Sequence, residues 1–339
     1  MARPLPATRP TGPRARIKSL LGSWPTVKAL AYAMDDAGWG ARERLGRIQS
    51  QSGSTHQGLP VAQSVGYVEE VFGDYRTYGA LDRLSGRAAE VGPGDNAGVA
   101  LLLRAAGCDQ VDLVDRFRSR RSPDQQQRIY RELAARHGIQ DIGPDDYDDE
   151  HLPGISWNLG FSAETYFARR AGEPGAAYDL IVSRATLEHL YDPLGALRSM
   201  TWCLQPGGRM VHKIDFRDHG MFTPAHPELT FLRFPAPLYQ RMTRRSGRPN
   251  RVLLHRYRRL AEELQSTGEL DVTILVTSLV GAGEIVPHVP FTALAPDLLQ
   301  QAVARVDAER DSFAPEFAHV ASADLAVSGI FWVAARPAS

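Results

Sequence analysis

The sequence predicts a doubly wound α/β fold on a mostly parallel sheet, and three observations carry that prediction. A short apolar run ends in Glu90-Val91 and is followed at once by the turn Gly92-Pro93-Gly94. A helix-like run over 97–106 then leads to a second apolar run, 111–114, that stops on Asp115. Beyond that point the periodicity keeps alternating between strand and helix, as in a parallel sheet with helices on both faces.

Taken in order, residues 1–13 are rich in Pro and lack the apolar content of a packed segment, which predicts disorder. Residues 14–35 carry Ile17, Leu20, Leu21, Trp24, Val27, Leu30 and Met34 at helical spacing, with a break at Pro25. That helix is expected to pack on its own body or a dimer partner; its basic face (Arg14, Arg16, Lys18, Lys28) makes a membrane surface the alternative. Residues 50–58 read as a polar linker, and 67–78 as a helix with Tyr67, Phe72, Tyr75 and Tyr78 clustered on it. Strands are expected near 87–91, 110–115, 155–160, 178–183, 208–216, 271–278 and 325–336, with helices in the gaps, including 125–137 and 251–264. The acidic stretch 141–150 reads as a solvated loop, and no internal repeat is visible.

The turn after the first strand suits a nucleoside. Glycines reach positive φ and let the backbone approach a ligand closely, and a carboxylate at Asp115 can accept both ribose hydroxyls. Two details speak against a dinucleotide. Glu90, two residues before Gly92, is a carboxylate where an apolar residue is usual, and it suits a ligand with a cationic end. Pro93 removes a backbone N–H that a pyrophosphate would use.

With these residues the chain resembles the class I S-adenosyl-L-methionine (SAM) methyltransferases, whose first motif reads much like Glu90-Val91-Gly92-Pro93-Gly94. The likeness continues through Asp115, through Tyr178–Ser183 and Ala185–Leu190, and through Leu204–Val211, in the family's order over residues 85–216. It implies a seven-stranded Rossmann-like sheet that binds SAM. It further implies cofactor contacts from Glu90, Gly92, Gly94, Asp115, Ala163, Glu164, Ser183 and Arg184. The tyrosine-rich helix is implied to close over the pocket, with Tyr75 against the acceptor. Residues 1–79 are then an N-terminal tail and helical lid or dimer element. Residues 80–339 are the methyltransferase domain, with inserts near 217–250 and 284–323, the first of which (Phe231, Phe234, Tyr239) forms the acceptor pocket.

Composition sets bounds. Lys+Arg and Asp+Glu both number 39, so the formal net charge is zero and no global field attracts nucleic acid. Cys108 and Cys203 suit a reducing compartment. No run reaches membrane-spanning length and no clean signal segment opens the chain, so a cytoplasmic protein without stable membrane insertion is expected.

Methyl transfer asks mostly for alignment, but a hydroxyl acceptor also needs its proton removed. The candidates follow the fifth strand: His219 as base, Asp215 to orient it or hold a hydroxyl, and Arg217 to hold an anionic substituent. His189 is the runner-up base. His212 and Lys213 read as structural. Asp215, Asp218 and His219 sit too close in one loop to make a convincing metal set, and no zinc pattern is legible, so no metal is expected. The expected activity is O-methylation of a small molecule in natural-product or glycan biosynthesis. N-methylation of a small amine, and SAM binding without transfer, are the alternatives.

Overall fold

The structure, a computed structural model, describes residues 24–44, 56–139, 152–173, 175 and 177–338. The expectations for residues 1–13 and 141–150, for the start of the first helix and for most of the polar linker lie outside these residues.

Helix α1 (Pro25–Arg44) begins where the sequence suggested a break. Proline at a first helical position loses no hydrogen bond and has φ preset. Helix α2 (Val61–Tyr78) buries Val65, Val68, Val71 and Tyr75 as one stripe at helical spacing. The alternating unit follows: β1 (Arg87–Val91), α3 (Gly98–Ala105), β2 (Gln110–Asp115), α4 (Pro123–His137), β3 (Ile155–Leu159), α5 (Ala163–Arg170), β4 (Tyr178–Arg184), α6 (Pro193–Trp202) and β5 (Leu204–Asp215). Ser162 and Asp192 cap α5 and α6 by accepting the N–H of Thr165 and Gly195. The remainder is α7 (Ala236–Thr243), α8 (Leu254–Ser266), β6 (Asp271–Leu279), β7 (Gly283–Pro290), α9 (Pro296–Glu309), α10 (Ser322–Leu325) and β8 (Val327–Ala335).

The strands form one sheet in the order β3-β2-β1-β4-β5-β8-β6-β7. Neighbours from β3 to β5 are parallel, and β8 runs antiparallel between β5 and β6. The class matches the sequence reading, with one addition: the sheet has eight strands, because the insert near 284–323 begins with an antiparallel hairpin strand, β7. Pro287 and Pro290 hid it. A strand with two prolines is tolerated only at an edge, where β7 lies. β5 also starts earlier than expected. Tyr178 pairs with Leu204 but Leu180 with Arg209, so the Pro206-Gly207-Gly208 turn is a bulge inside the strand.

Two cores cover the sheet. Ala88, Leu113 and Val182 pack under α2, α3 and α4, while Ala89, Ile181 and Met210 pack under α5, α6 and α8. This alternation follows from the two-residue period of a strand buried on both faces. In the first insert, Phe231, Phe234 and Tyr239 are core residues of the second face and do not form a pocket surface, which corrects the sequence reading. Helix α1 docks on this insert. The Tyr32 hydroxyl donates to the Met221 carbonyl at 2.7 Å, and Asp36 Oδ1 accepts the N–H groups of Arg245 and Ser246, each at 2.8 Å. Among the described residues no helix is long and apolar enough to cross a membrane.

Candidate active site

The strand order reverses between β1 and β4, and ligands of open α/β sheets bind outside the carboxyl ends of the strands at such a point. A cavity of about 390 Å³ lies there, walled by the β1 turn, the ends of β2 and β4, the start of α5, Tyr67 of α2, His219, and Ser246-Gly247 of the insert. Its volume falls in the small-molecule range of roughly 300–1,000 Å³. From β2 to β5 the sheet spans three strand spacings, roughly 14 Å.

Several of the expected cofactor residues line this cavity. Gly92 has φ +72°, and a Cβ there would meet Thr186 Oγ1 at 2.3 Å, so only glycine lets this turn approach the loop after β4. Gly94, φ +69°, continues the turn in the wall. Asp115 also lies in the wall. Its Oδ1 accepts the Phe117 N–H at 2.9 Å, and burial pushes its carboxyl up to about 6 against that hydrogen bond. Ala163 and Glu164 line the cavity. Glu164 Oε1 accepts the N–H groups of Tyr191 and Asp192 at 2.9 and 3.1 Å, and its buried Oε2 has no hydrogen-bond partner. That leaves one acceptor in the wall for a donor such as an exocyclic amine.

Other expected residues stand elsewhere. Glu90 lies behind the wall on the α2 face, buried, with Oε2 unpartnered; burial pushes its carboxyl up to about 8. Tyr75 is 1% exposed and lies outside the wall. It faces the sheet because its helix turns the 65–68–75 stripe inward, and Tyr67 is the tyrosine that reaches the cavity. Ser183 is also buried, with its Oγ 2.8 Å from His212 Nδ1, and does not line the wall. Arg184 does line it, but its guanidinium pairs with Asp74 at 2.7 Å and Glu70 at 2.6 Å, tying α2 to the end of β4.

The far side gathers titratable groups. His189 and His219 meet edge to face with ring centroids 4.8 Å apart. His189 Nδ1 lies 2.7 Å from the Gly247 carbonyl. A carbonyl only accepts, so Nδ1 carries the proton and Nε2 keeps its lone pair. Burial, and then the neighbouring His219, lower this imidazole to about 4. His219 Nε2 lies 3.4 Å from Asp215 Oδ2 and 3.6 Å from Glu188 Oε1. Burial alone would raise Asp215, but the hydrogen bonds from His219 and Arg217 hold it well below the usual carboxylate range. Arg217 forks onto Asp215 through Nε at 2.8 Å and Nη2 at 2.5 Å, so both groups are engaged with each other. Asp218 is fully used in closing its own loop, accepting from the N–H groups of Gly220, Phe222 and Thr223.

The sequence reading missed three contributors. Glu188 stands beside His189 in a quoted motif, but nothing in the motif shows that its carboxylate is buried. Thr186 lies in the same motif without a role read for it, and Ser246-Gly247 carried no signal, since they reach the site through tertiary packing alone.

A family model described as a methyltransferase domain matches residues 67–266. No curated protein matches the sequence. Among solved structures, the N-methyltransferase NodS from Bradyrhizobium japonicum WM9, with S-adenosyl-L-homocysteine bound, is 18% identical at a TM-score of 0.28, covering 48% of this chain and 66% of that one. Phosphoethanolamine N-methyltransferase 2 from Haemonchus contortus is 12% identical at 0.38, covering 81% and 53%. The YcgJ protein from Bacillus subtilis is 14% identical at 0.36, covering 81% and 99%. This chain thus spans less than two thirds of the length of the first two. The family model covers more than half of the 339 residues and the sheet has the strand order that goes with it, so the chain belongs to the methyltransferase-domain family.

Proposed function

We propose that this enzyme transfers the methyl group of SAM to a hydroxyl of a small molecule, in natural-product or glycan biosynthesis. One observation carries the reading: Glu188, His189 and His219 converge in and behind the wall of the cavity that also holds the glycine turn and Asp115. SAM supplies an electrophilic methyl group on an already activated leaving group. An amine attacks it without further help, whereas a hydroxyl needs its proton removed or its oxygen polarised. A cluster of nitrogen and oxygen acceptors at the β4 and β5 ends supplies that need.

The residues present fit the cofactor. Gly92 and Gly94 leave room for close backbone approach, Asp115 offers its carboxylate to the ribose, and Glu164 Oε2 offers an acceptor beside Ala163 to the adenine. Glu90 stands behind the turn with Oε2 unpartnered and does not line the cavity. His219, backed by Asp215, is the group on which the acceptor hydroxyl is activated, and His189 stands beside it. Transfer of labelled methyl to a panel of hydroxyl and amine acceptors tests the reading. Label on oxygen is expected, and label confined to nitrogen overturns it.

The cofactor side has its own pH signature. Burial raises Asp115 to about 6 in the free protein, and ribose hydroxyls donate best to the ionised form. A proton must therefore be displaced below that pH. SAM affinity is expected to be flat above about 7 and to fall as pH drops through 6, by at most about tenfold per unit for one proton. Titration calorimetry across that range measures it, and Asp115→Ala should lose the slope.

A further inference from the structure

We infer that Glu188, His189 and His219 form a site for one divalent transition-metal ion of the zinc class, with an open position toward the cavity. One ligand atom from each lies within 4.8 Å of the others. Two ligands held at about 2.0–2.2 Å from a tetrahedral ion lie roughly 3.3–3.6 Å apart. Glu188 Oε1 and His219 Nε2 are 3.6 Å apart.

Two further observations point the same way. Glu188 is 1% exposed, and neither carboxylate oxygen has a hydrogen-bond partner. A buried carboxylate in that state either keeps a proton or meets a cation. His189 donates its Nδ1 proton to the Gly247 carbonyl, and this fixes the tautomer whose Nε2 lone pair is free. A metal-bound histidine is oriented in the same manner, by donating its other ring N–H to a carbonyl or carboxylate. The ligand set differs from the single-loop set weighed from the sequence, because Asp218 is consumed by its loop and Glu188 and His189 come from a second element, the turn after β4.

Two imidazoles and one carboxylate suit zinc, iron(II) or manganese better than magnesium, which prefers oxygen ligands. Three protein ligands leave a fourth position, as at catalytic zinc sites. His189 and His219 both line the cavity, so that position faces the acceptor. The ion's role there, polarising the acceptor hydroxyl in place of direct proton acceptance by the His219 Nε2 it would occupy, rests on the reading proposed above; its binding does not.

The test uses the full chain, stripped with a chelator and titrated with cobalt(II), followed by its visible absorption. One equivalent should bind, zinc should displace it, and the melting temperature should rise. Glu188→Gln and His219→Asn should each weaken cobalt binding more than about tenfold while the SAM titration stays close to wild type. Absence of saturable cobalt binding by the wild-type chain overturns the site, and so does binding unchanged in both variants. Hydroxyl methylation that persists in the stripped protein overturns the ion's role and leaves the hydroxyl reading intact. One-equivalent binding together with label only on nitrogen upholds the site and sinks the hydroxyl reading.

Discussion

Replacing His219 by alanine is expected to lower turnover by at least about a hundredfold, at the low end of the 10²–10⁴-fold range for a positioned proton acceptor. SAM affinity should stay nearly intact. The reason is distance along the sheet. His219 follows β5, whereas Asp115, the carboxylate proposed for the ribose, ends β2, and β1 and β4 lie between them. His219 sits at φ +48°, a backbone region few side chains favour. Asparagine tolerates that region, so His219→Asn should lose as much turnover as His219→Ala if the imidazole chemistry is what matters, with less disturbance of the loop. Steady-state kinetics beside a calorimetric SAM titration checks both halves of the expectation. Full activity in both variants would remove His219 from the reaction.

The second large effect is on cofactor affinity. Asp115→Ala should cost about 1.5–3 kcal/mol of SAM binding, the range for a hydrogen bond to a charged group, which is roughly 10- to 150-fold in Kd. The carboxylate is already placed: Phe117 N–H holds Oδ1, and the side chain stands in the cavity wall at the end of β2. Asp115→Asn keeps the shape and one acceptor, so it should fall between wild type and alanine. Turnover at saturating SAM should change far less than Kd, since the contact is made equally before and during transfer. Affinity unchanged in Asp115→Ala would take the ribose away from this residue.

Much of this was legible in the chain, for reasons that differ by element. The β1 turn could be read because Gly92 and Gly94 are there for backbone reasons, and backbone requirements show directly in residue type. Asp115 could be read because a strand that ends in an acid beside a glycine turn has few other uses. The α/β class followed from alternating periods of strand and helix. Orientation was less accessible. Tyr75 and Tyr67 sit on one helix, and which of them faces the cavity depends on how α2 is rotated against the sheet. Glu188 is adjacent to His189 in sequence, yet its burial comes from packing in the core behind β4 and β5. Strand β7 was hidden by prolines that an edge position permits. The apolar residues of the first insert read as a pocket because part of what covers them, α1 with Tyr32 against Phe222, comes from elsewhere in the chain.

The most direct test of hydroxyl methylation is the atom that carries the new methyl carbon. An alcohol acceptor found by screening, and the amine of the same skeleton, would be incubated with SAM labelled at the methyl carbon, and the product carbon read by NMR for the wild-type protein and for His219→Ala. The wild type should place the label on oxygen, and the variant should lose that transfer by at least about a hundredfold. Label on nitrogen at a rate indifferent to His219, with none on oxygen, would contradict the account.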